Sequence, residues 1–129
     1  MAIQTFKYSG PDAEGARSRE EGRGKSYDLV SNGSVISTVQ VLAKREGNTL
    51  HAHKDQDGYW FILGGRARFH GVDGEVLAEL GKYEGVFVPH LTRYWFESVD
   101  DGPLQILRVS KILPSPETAQ PHPKDTAPP

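Results

Sequence analysis

Two histidines separated by one residue are the part of this sequence best suited to chemistry. His51 and His53 flank Ala52, and residues two apart on a β-strand point to the same face. Two neutral imidazoles on one inward face could bind a divalent metal or exchange protons with a substrate. Two surface histidines on a half-exposed strand would have the same spacing, so the pair alone leaves both interpretations open.

Short β-strands separated by turns must position this pair. The β-branched run Val35–Leu42 predicts one strand, and the alternating run Leu104–Ile112 predicts another. Val72-Asp73-Gly74 indicates a hairpin turn. No convincing amphipathic helix is present, so the pattern favours an all-β sandwich or barrel. Further strands are predicted at residues 49–53, 59–63, 66–70, 75–80, 85–89 and 94–99.

The chain divides into an arm, a barrel and a tail. Residues 1–26 are polar and lack a regular period, which predicts an arm or loop in which residues 3–8 could add a short strand. Residues 27–113 are the predicted barrel. Residues 114–129 contain six of the nine prolines and are predicted to be a disordered tail.

The composition excludes several classes of protein. A net charge of −2 gives no basic excess for binding nucleic acid, and no apolar run approaches the ~20 residues of a membrane helix. The absence of cysteine rules out disulfides, thiolate nucleophiles and cysteine metal sites. The first residues lack an apolar secretory segment, so we expect a cytoplasmic protein.

Two segments resemble the conserved motifs of the cupins. Residues 47–69, GNTLHAHKDQDGYWFILGGRARF, are similar to the first motif, and residues 85–109, GVFVPHLTRYWFESVDDGPLQILRV, are similar to the second. The resemblance covers roughly residues 35–110. It implies a double-stranded β-helix, or jelly-roll barrel, that is usually a homodimer. Many cupins hold a divalent metal through two histidines and a glutamate of the first motif and a histidine of the second.

The resemblance can be carried over to individual metal ligands in two registers. The family's glutamate lies seven residues before a glycine, which gives Asp57 when counted from Gly64 and Gly58 when counted from Gly65. Only Asp57 is a carboxylate, so we favour it. The second-motif histidine position holds Tyr94. The implied ligands of a single Fe, Mn, Ni or Zn ion are therefore His51, His53, Asp57 and Tyr94, and the alternative is a cupin that has lost its metal.

The same register predicts the wall of the pocket. With Asp57 inward, Tyr59 and Phe61 also face inward, whereas Trp60 does so only in the other register. An aromatic, mostly apolar pocket for a small molecule is expected in either case. Arg68 could clamp a carboxylate, His90 could act as a base near the barrel mouth, and His70 and His122 are predicted on the surface. The candidate substrate-binding residues are thus Tyr59, Trp60, Phe61, Arg68, His90 and Phe96, although for Phe96 we favour a place in the core.

The leading functional hypothesis is a small-molecule enzyme. The resemblance implies dioxygenase, isomerase, cyclase or lyase chemistry on a small organic metabolite, with His51, His53 and Tyr94 as catalytic groups. The alternatives are a non-catalytic ligand-binding cupin without metal and a structural dimer whose barrel is filled.

Overall fold

The computed structural model describes residues 2–114, so His122 and the predicted tail from residue 115 onward lie outside the described residues. This part of the chain is almost entirely β-structure. A short 3-10 turn at Val72–Gly74 joins two of the strands. The strands are β1 Arg17–Ser18, β2 Lys25–Ser31, β3 Val35–Leu42, β4 Gln56–Gly64, β5 Ala67–His70, β6 Val76–Leu80, β7 Gly85–Val88, β8 Trp95–Ser98 and β9 Leu104–Ile112.

The strands form two antiparallel sheets that pack on each other. The larger sheet has the order β1-β2-β3-β9-β4-β7, and the smaller has the order β6-β5-β8. Every strand pair is antiparallel. The prediction of an all-β jelly-roll barrel is confirmed. No helix within residues 2–114 has the length and apolar character needed to cross a membrane.

One apolar core joins the two sheets because alternate residues of each strand point inward. Trp60 and Ile106 come from the larger sheet, and Phe69 and Phe96 from the smaller. The ring of Phe96 lies 4.8 Å from that of Trp60 and 5.1 Å from that of Phe69, measured between centroids. Contact at this distance adds to the free energy gained by removing the rings from water.

The N-terminal segment is more ordered than its polar composition predicts. β1 pairs with β2, which begins at Lys25, two residues before the predicted start of the barrel. Residues 3–8 form no strand, but the Tyr8 ring packs 5.4 Å from that of Tyr27. The Tyr8 hydroxyl also donates a hydrogen bond to Gln105 Oε1 at 2.6 Å. The segment is therefore fastened to the larger sheet.

Candidate functional site

A cavity of about 180 Å³ occupies the end of the barrel interior that the core leaves unfilled. Strand β9 shows the change from core to cavity, because its inward positions run from Leu104 and Ile106 to Arg108 and Ser110. The first two are apolar and fully buried, whereas the last two are polar. The cavity is lined by Arg19, Arg23, Gln40, Asn48, His51, His53, Trp60, Tyr94 and Arg108.

Arg108 is held in the middle of the larger sheet. It lies in register between Thr38 of β3 and Trp60 of β4. Its guanidinium carbon lies 5.7 Å from the centroid of the Trp60 ring, and its Nη2 donates to Gln56 Oε1 at 2.5 Å. Burial lowers the pKa of Arg108, but a guanidinium remains charged in a protein. A fixed cation therefore faces the cavity.

His51 is positioned by backbone and side-chain hydrogen bonds. Its backbone pairs with that of Tyr94 through N–H···O bonds of 3.1 and 2.9 Å. Its Nδ1 lies 2.6 Å from the Thr49 carbonyl oxygen, which can only accept, so Nδ1 carries the proton. Burial, reinforced by Arg108 and Arg23, lowers the pKa of His51. The neutral ring therefore keeps a free lone pair on Nε2.

His53 lies beside His51 and is also neutral near pH 7. The two ring centroids are 4.9 Å apart. Burial is the main cause that lowers the pKa of His53 to about 4, and Arg108 and His51 add to the effect. A proton on either imidazole would meet existing positive charge in a poorly solvated space. The predicted pair is thus present as two neutral bases.

This low pKa predicts an acid-sensitive fold. The folded-state pKa of His53, about 4, lies below its ordinary value of 6.5. Between these pH values the unfolded chain therefore binds a proton at His53 and the folded chain does not. The contribution of His53 to the free energy of unfolding should be almost constant well above pH 6.5. It should fall by about 1 kcal/mol as the pH is lowered towards 4.5, after allowance for partial solvent screening. Urea unfolding in metal-free buffer measures it.

The variant His53→Gln separates this effect from other acid-sensitive groups. The carboxylates whose pKa is lowered, Asp28, Asp57 and Glu79, have ordinary values of 3.8 to 4.5 and lose their contribution below that range. Between pH 6.5 and 4.5 the variant should therefore show a flatter stability profile than the wild type, and the slope that remains is due to His51, whose pKa is also lowered from 6.5. An equally steep profile in the variant would contradict this assignment.

Tyr94 brings a buried hydroxyl to the same space. Its side chain is 2% exposed, and its ring centroid lies 4.7 Å from that of His51. Burial raises the pKa of Tyr94, although Arg108 and a hydrogen bond with the Trp60 side chain oppose this rise. An indole N–H can only donate, so the Tyr94 O–H is left as a hydrogen-bond donor.

Two further arginines reach the cavity from the turn between β1 and β2. Arg19 Nη1 donates to Ser26 Oγ at 3.2 Å, and Arg23 Nη2 donates to Thr49 Oγ1 at 3.2 Å. Arg19 Nε is buried without a hydrogen-bond partner among the described residues. Burial is the main cause that lowers the pKa of Arg19, and neighbouring arginines add to it. Sequence reasoning missed both side chains because the polar segment that carries them has no period.

Asp57 lies on the opposite side of β4 from the cavity. Its Oδ1 accepts hydrogen bonds from the backbone N–H and the Nδ1 of His90, at 2.7 and 2.8 Å. Gly58 lines a narrow extension of the cavity and Trp60 lines the cavity itself. The register that places Asp57 inward is therefore wrong, and the alternative register, with Gly58 and Trp60 inward, is the one observed. The pairing of β4 with β9 shifts register between Ile62 and Gly64, because β4 has one extra residue there. Counting back from Gly64 as if the strand were regular therefore assigns the wrong face.

The side chains in the cavity do not fit a divalent metal. Within residues 2–114, no three His, Cys, Asp or Glu side chains come together in a way that could hold a metal ion. His51 and His53 supply two nitrogens, but Asp57 is turned away and the raised pKa of Tyr94 disfavours a phenolate ligand. Arg108 adds a fixed positive charge beside the imidazoles. A stable site normally needs at least three good protein ligands.

The other aromatic candidates lie away from the cavity. Tyr59 is 45% exposed, and Phe61 stacks on Tyr83 with centroids 6.5 Å apart. Both follow the outward alternation of Asp57. Phe96 is fully buried in the core and is absent from the residues that line the cavity. The inward placement of Tyr59 and Phe61 is therefore corrected, whereas the core position favoured for Phe96 is the one observed.

The polar candidates outside the cavity pair with carboxylates. Arg68 Nη2 lies 2.8 Å from Glu79 Oε1 on the outer face of the smaller sheet, so it cannot clamp a substrate inside the barrel. His90 is held by Asp57. His70, predicted on the surface, is in fact buried: its ring stacks on Trp95 at 4.0 Å, and its Nε2 lies 2.7 Å from Glu97 Oε2.

Comparison with solved structures gives many matches of the same architecture. KdgF from Halomonas sp. superimposes with a TM-score of 0.69 at 14% identity, covering 92% of this chain and 100% of the other. An RmlC-like cupin from Methanocaldococcus jannaschii gives 0.68 at 18%, covering 92% and 99%. A cupin superfamily protein from Desulfitobacterium hafniense gives 0.64 at 17%, covering 88% and 100%.

Sequence comparison found no match, either to a protein-family model or to a curated protein. The three structures named are all below one-fifth identity, so they establish architecture and not activity. Together with the two antiparallel sheets and their topology, they show that the chain has the double-stranded β-helix fold of the cupins.

Proposed function

We propose that this protein is a small-molecule enzyme that binds a small organic acid in the barrel cavity and moves a proton on it without a metal. The observation that carries the proposal is the set of groups lining the cavity. Three guanidiniums and two neutral imidazoles share about 180 Å³, and within residues 2–114 no carboxylate lines this space. Such a space is suited to an anion.

Arg108 is the group best placed to bind a carboxylate. Its planar fork can donate two parallel hydrogen bonds to the two oxygens, and Trp60 supports its face. The interaction is stronger here than in water because the surroundings are largely protein. A cavity of about 180 Å³ corresponds to about six liquid water molecules, which suggests a ligand of roughly six to nine non-hydrogen atoms.

His51 and Tyr94 would supply the acid–base chemistry. The Nε2 lone pair of His51 accepts a proton from carbon next to the acid or carbonyl group, and the electron pair of the broken C–H bond moves onto the oxygen. The Tyr94 hydroxyl and the Arg108 guanidinium stabilise that developing oxyanion. If the substrate has a double bond next to that carbon, the electron pair shifts along it and return of the proton at its far end completes an isomerisation. If the next carbon carries a leaving group, formation of a carbon–carbon double bond expels that group with its bonding electrons and completes a lyase reaction.

Calorimetry and proton exchange test the two halves of this proposal. Protein treated with EDTA is titrated with organic acids of three to six carbons and with their amides as neutral controls. Exchange of the ligand C–H for deuterium is then followed by NMR in D₂O. We expect the acids but not the amides to bind, and His51→Gln to slow exchange by about 100-fold or more while binding is retained.

Each half can fail separately. Amides that bind as tightly as acids would overturn the assignment of an anion site. Acids that bind without any exchange in the wild type would overturn catalysis and identify a non-catalytic ligand-binding cupin. Exchange that persists unchanged in His51→Gln would remove His51 from the reaction.

A further inference from the structure

We propose that Arg19 and Arg23 form a second anion subsite, so that the ligand is an organic dianion with two acidic groups. This inference rests on the proposed organic-acid site and adds the requirement that the ligand carries a second acidic group. Arg108 would bind one acidic group from β9, and the turn between β1 and β2 would bind the other.

The charge inside the cavity supports two acidic groups. A single carboxylate would neutralise one of the three lining guanidiniums. Asp55 lies near enough to interact with Arg108, and Glu20 Oε2 lies 3.7 Å from Arg23 Nε, but the Glu20 side chain is 79% exposed. An exposed carboxylate compensates a cation only weakly. The cavity therefore keeps a positive excess that a monoanion leaves uncompensated.

Arg19 also has an unused donor. Its Nη1 is occupied by Ser26, while its Nε is buried and has no partner among the described residues. A buried charged group without a full set of partners costs free energy. Arg19 also lines the cavity, so an anionic group at this side would compensate the charge of its guanidinium.

The two anchors come from different parts of the chain. Arg108 is fixed by Gln56 and Trp60 within the larger sheet. Arg19 is fixed from the β1–β2 turn, and Arg23 is tied to Thr49, next to the segment that carries His51. Arg108 and Arg23 both lie near enough to His51 to lower its pKa, so a ligand that spans both anchors would pass close to this imidazole. The second acidic group would therefore orient the substrate.

Dicarboxylates and phosphonate-bearing carboxylates share the required chemistry. The probes are succinate and glutarate, the monocarboxylates butyrate and pentanoate of equal length, and 3-phosphonopropionate. Isothermal titration of the whole chain gives Kd for each. A bidentate charged contact is commonly worth about 10- to 100-fold in affinity, so we expect the dianions to bind at least about 10-fold tighter than their monoanion partners.

The variants Arg19→Met and Arg23→Met should reduce this preference, and the double variant should bring it below about 3-fold. Arg17→Met is the matched control, because Arg17 belongs to the same hairpin but pairs with Asp28 at the exposed surface. Circular dichroism and Tm confirm that each variant is folded. If Arg19→Met does not fold, Arg23→Met and the salt dependence of Kd for succinate and butyrate give the same comparison.

The outcomes separate this inference from the function on which it rests. Equal affinity for dianions and monoanions, or a preference that survives the double variant, overturns the second subsite and leaves the organic-acid site intact. Failure of every acid to bind overturns both. Tighter binding of 3-phosphonopropionate than of succinate assigns the second group as phosphate-like, and the reverse order assigns it as carboxylate.

Discussion

Replacing Arg108 with methionine is expected to weaken binding of small organic acids by about 100-fold or more without unfolding the protein. The loss follows because removing one partner of a buried charge pair typically costs 2–5 kcal/mol of binding free energy. The fold should survive because methionine fills similar space and removes a charge that is buried when no ligand is bound. Calorimetry measures the affinity, and urea unfolding measures the stability.

Lys111→Met is the matched control for this change. Lys111 lies on the same strand, three residues further on, but its side chain is exposed. It should therefore leave the affinity within about 2-fold, since an exposed charge contributes little. Retention of affinity in Arg108→Met would show that the acid does not bind where we place it. Equal losses in both variants would show that only the overall charge of β9 matters.

Replacing Phe96 with alanine is expected to lower the free energy of unfolding by about 3–5 kcal/mol, the usual range for removing a buried phenyl ring. The ring is fully buried and packs between Trp60 and Phe69, so its loss opens a cavity in the core. Phe87→Ala, at a side chain that is 60% exposed on β7, should change stability by no more than about 0.5 kcal/mol. Denaturant midpoints compare the two.

Phe96→Leu keeps most of the volume and tests whether the ring has a second role. If Phe96 is purely a core residue, this variant should fold, lose only part of the stability and bind the ligand normally. Loss of ligand affinity in a stable Phe96→Leu protein would return Phe96 to the binding site. Loss of stability in Phe87→Ala equal to that in Phe96→Ala would contradict the placement of the core.

The fold could be predicted because its determinants are local and repeated. Strands such as β3 and β9 show alternation or β-branched runs, and turn residues separate them. The Asp-Gly signal at Asp73 does form a turn, with both Asp73 and Gly74 at positive φ. The resemblance to the cupin motifs then supplied the topology. The alternation of the strands and the resemblance to the cupin motifs indicate the same architecture, so the fold class was not ambiguous.

The wall of the site was harder to predict because a single irregularity reverses it. Side chains on a strand alternate with a period of two, so one extra residue exchanges the inner and outer faces. The bulge between Ile62 and Gly64 contains such an extra residue. As a result Asp57 and Tyr59 face outward and Trp60 faces inward, the reverse of the favoured prediction. The adjacent glycines Gly64 and Gly65 indicated an irregularity in the strand. The sequence did not show from which of them the position of the family's glutamate should be counted.

The charge of the site was missed for two different reasons. Arg108 continues the inward alternation of Leu104 and Ile106, so its position could have been found from the sequence. Arg19 and Arg23 could not, because no local pattern predicts that side chains of a polar turn will line a cavity formed by strands much later in the chain. Their placement depends on the pairing of β1 with β2 and of β2 with β3, and on the long-range pairing of β3 with β9.

The alternation of β9 also protects the site against errors in folding. This strand pairs with β3 on one side and β4 on the other along nearly its whole length. If it slipped by one residue, Leu107 and Val109 would turn inward, Arg108 would turn outward, and Ile106 would leave the core. A misregistered chain would thus lose its core packing and its binding charge together. Any chain stable enough to persist therefore also has Arg108 facing the cavity.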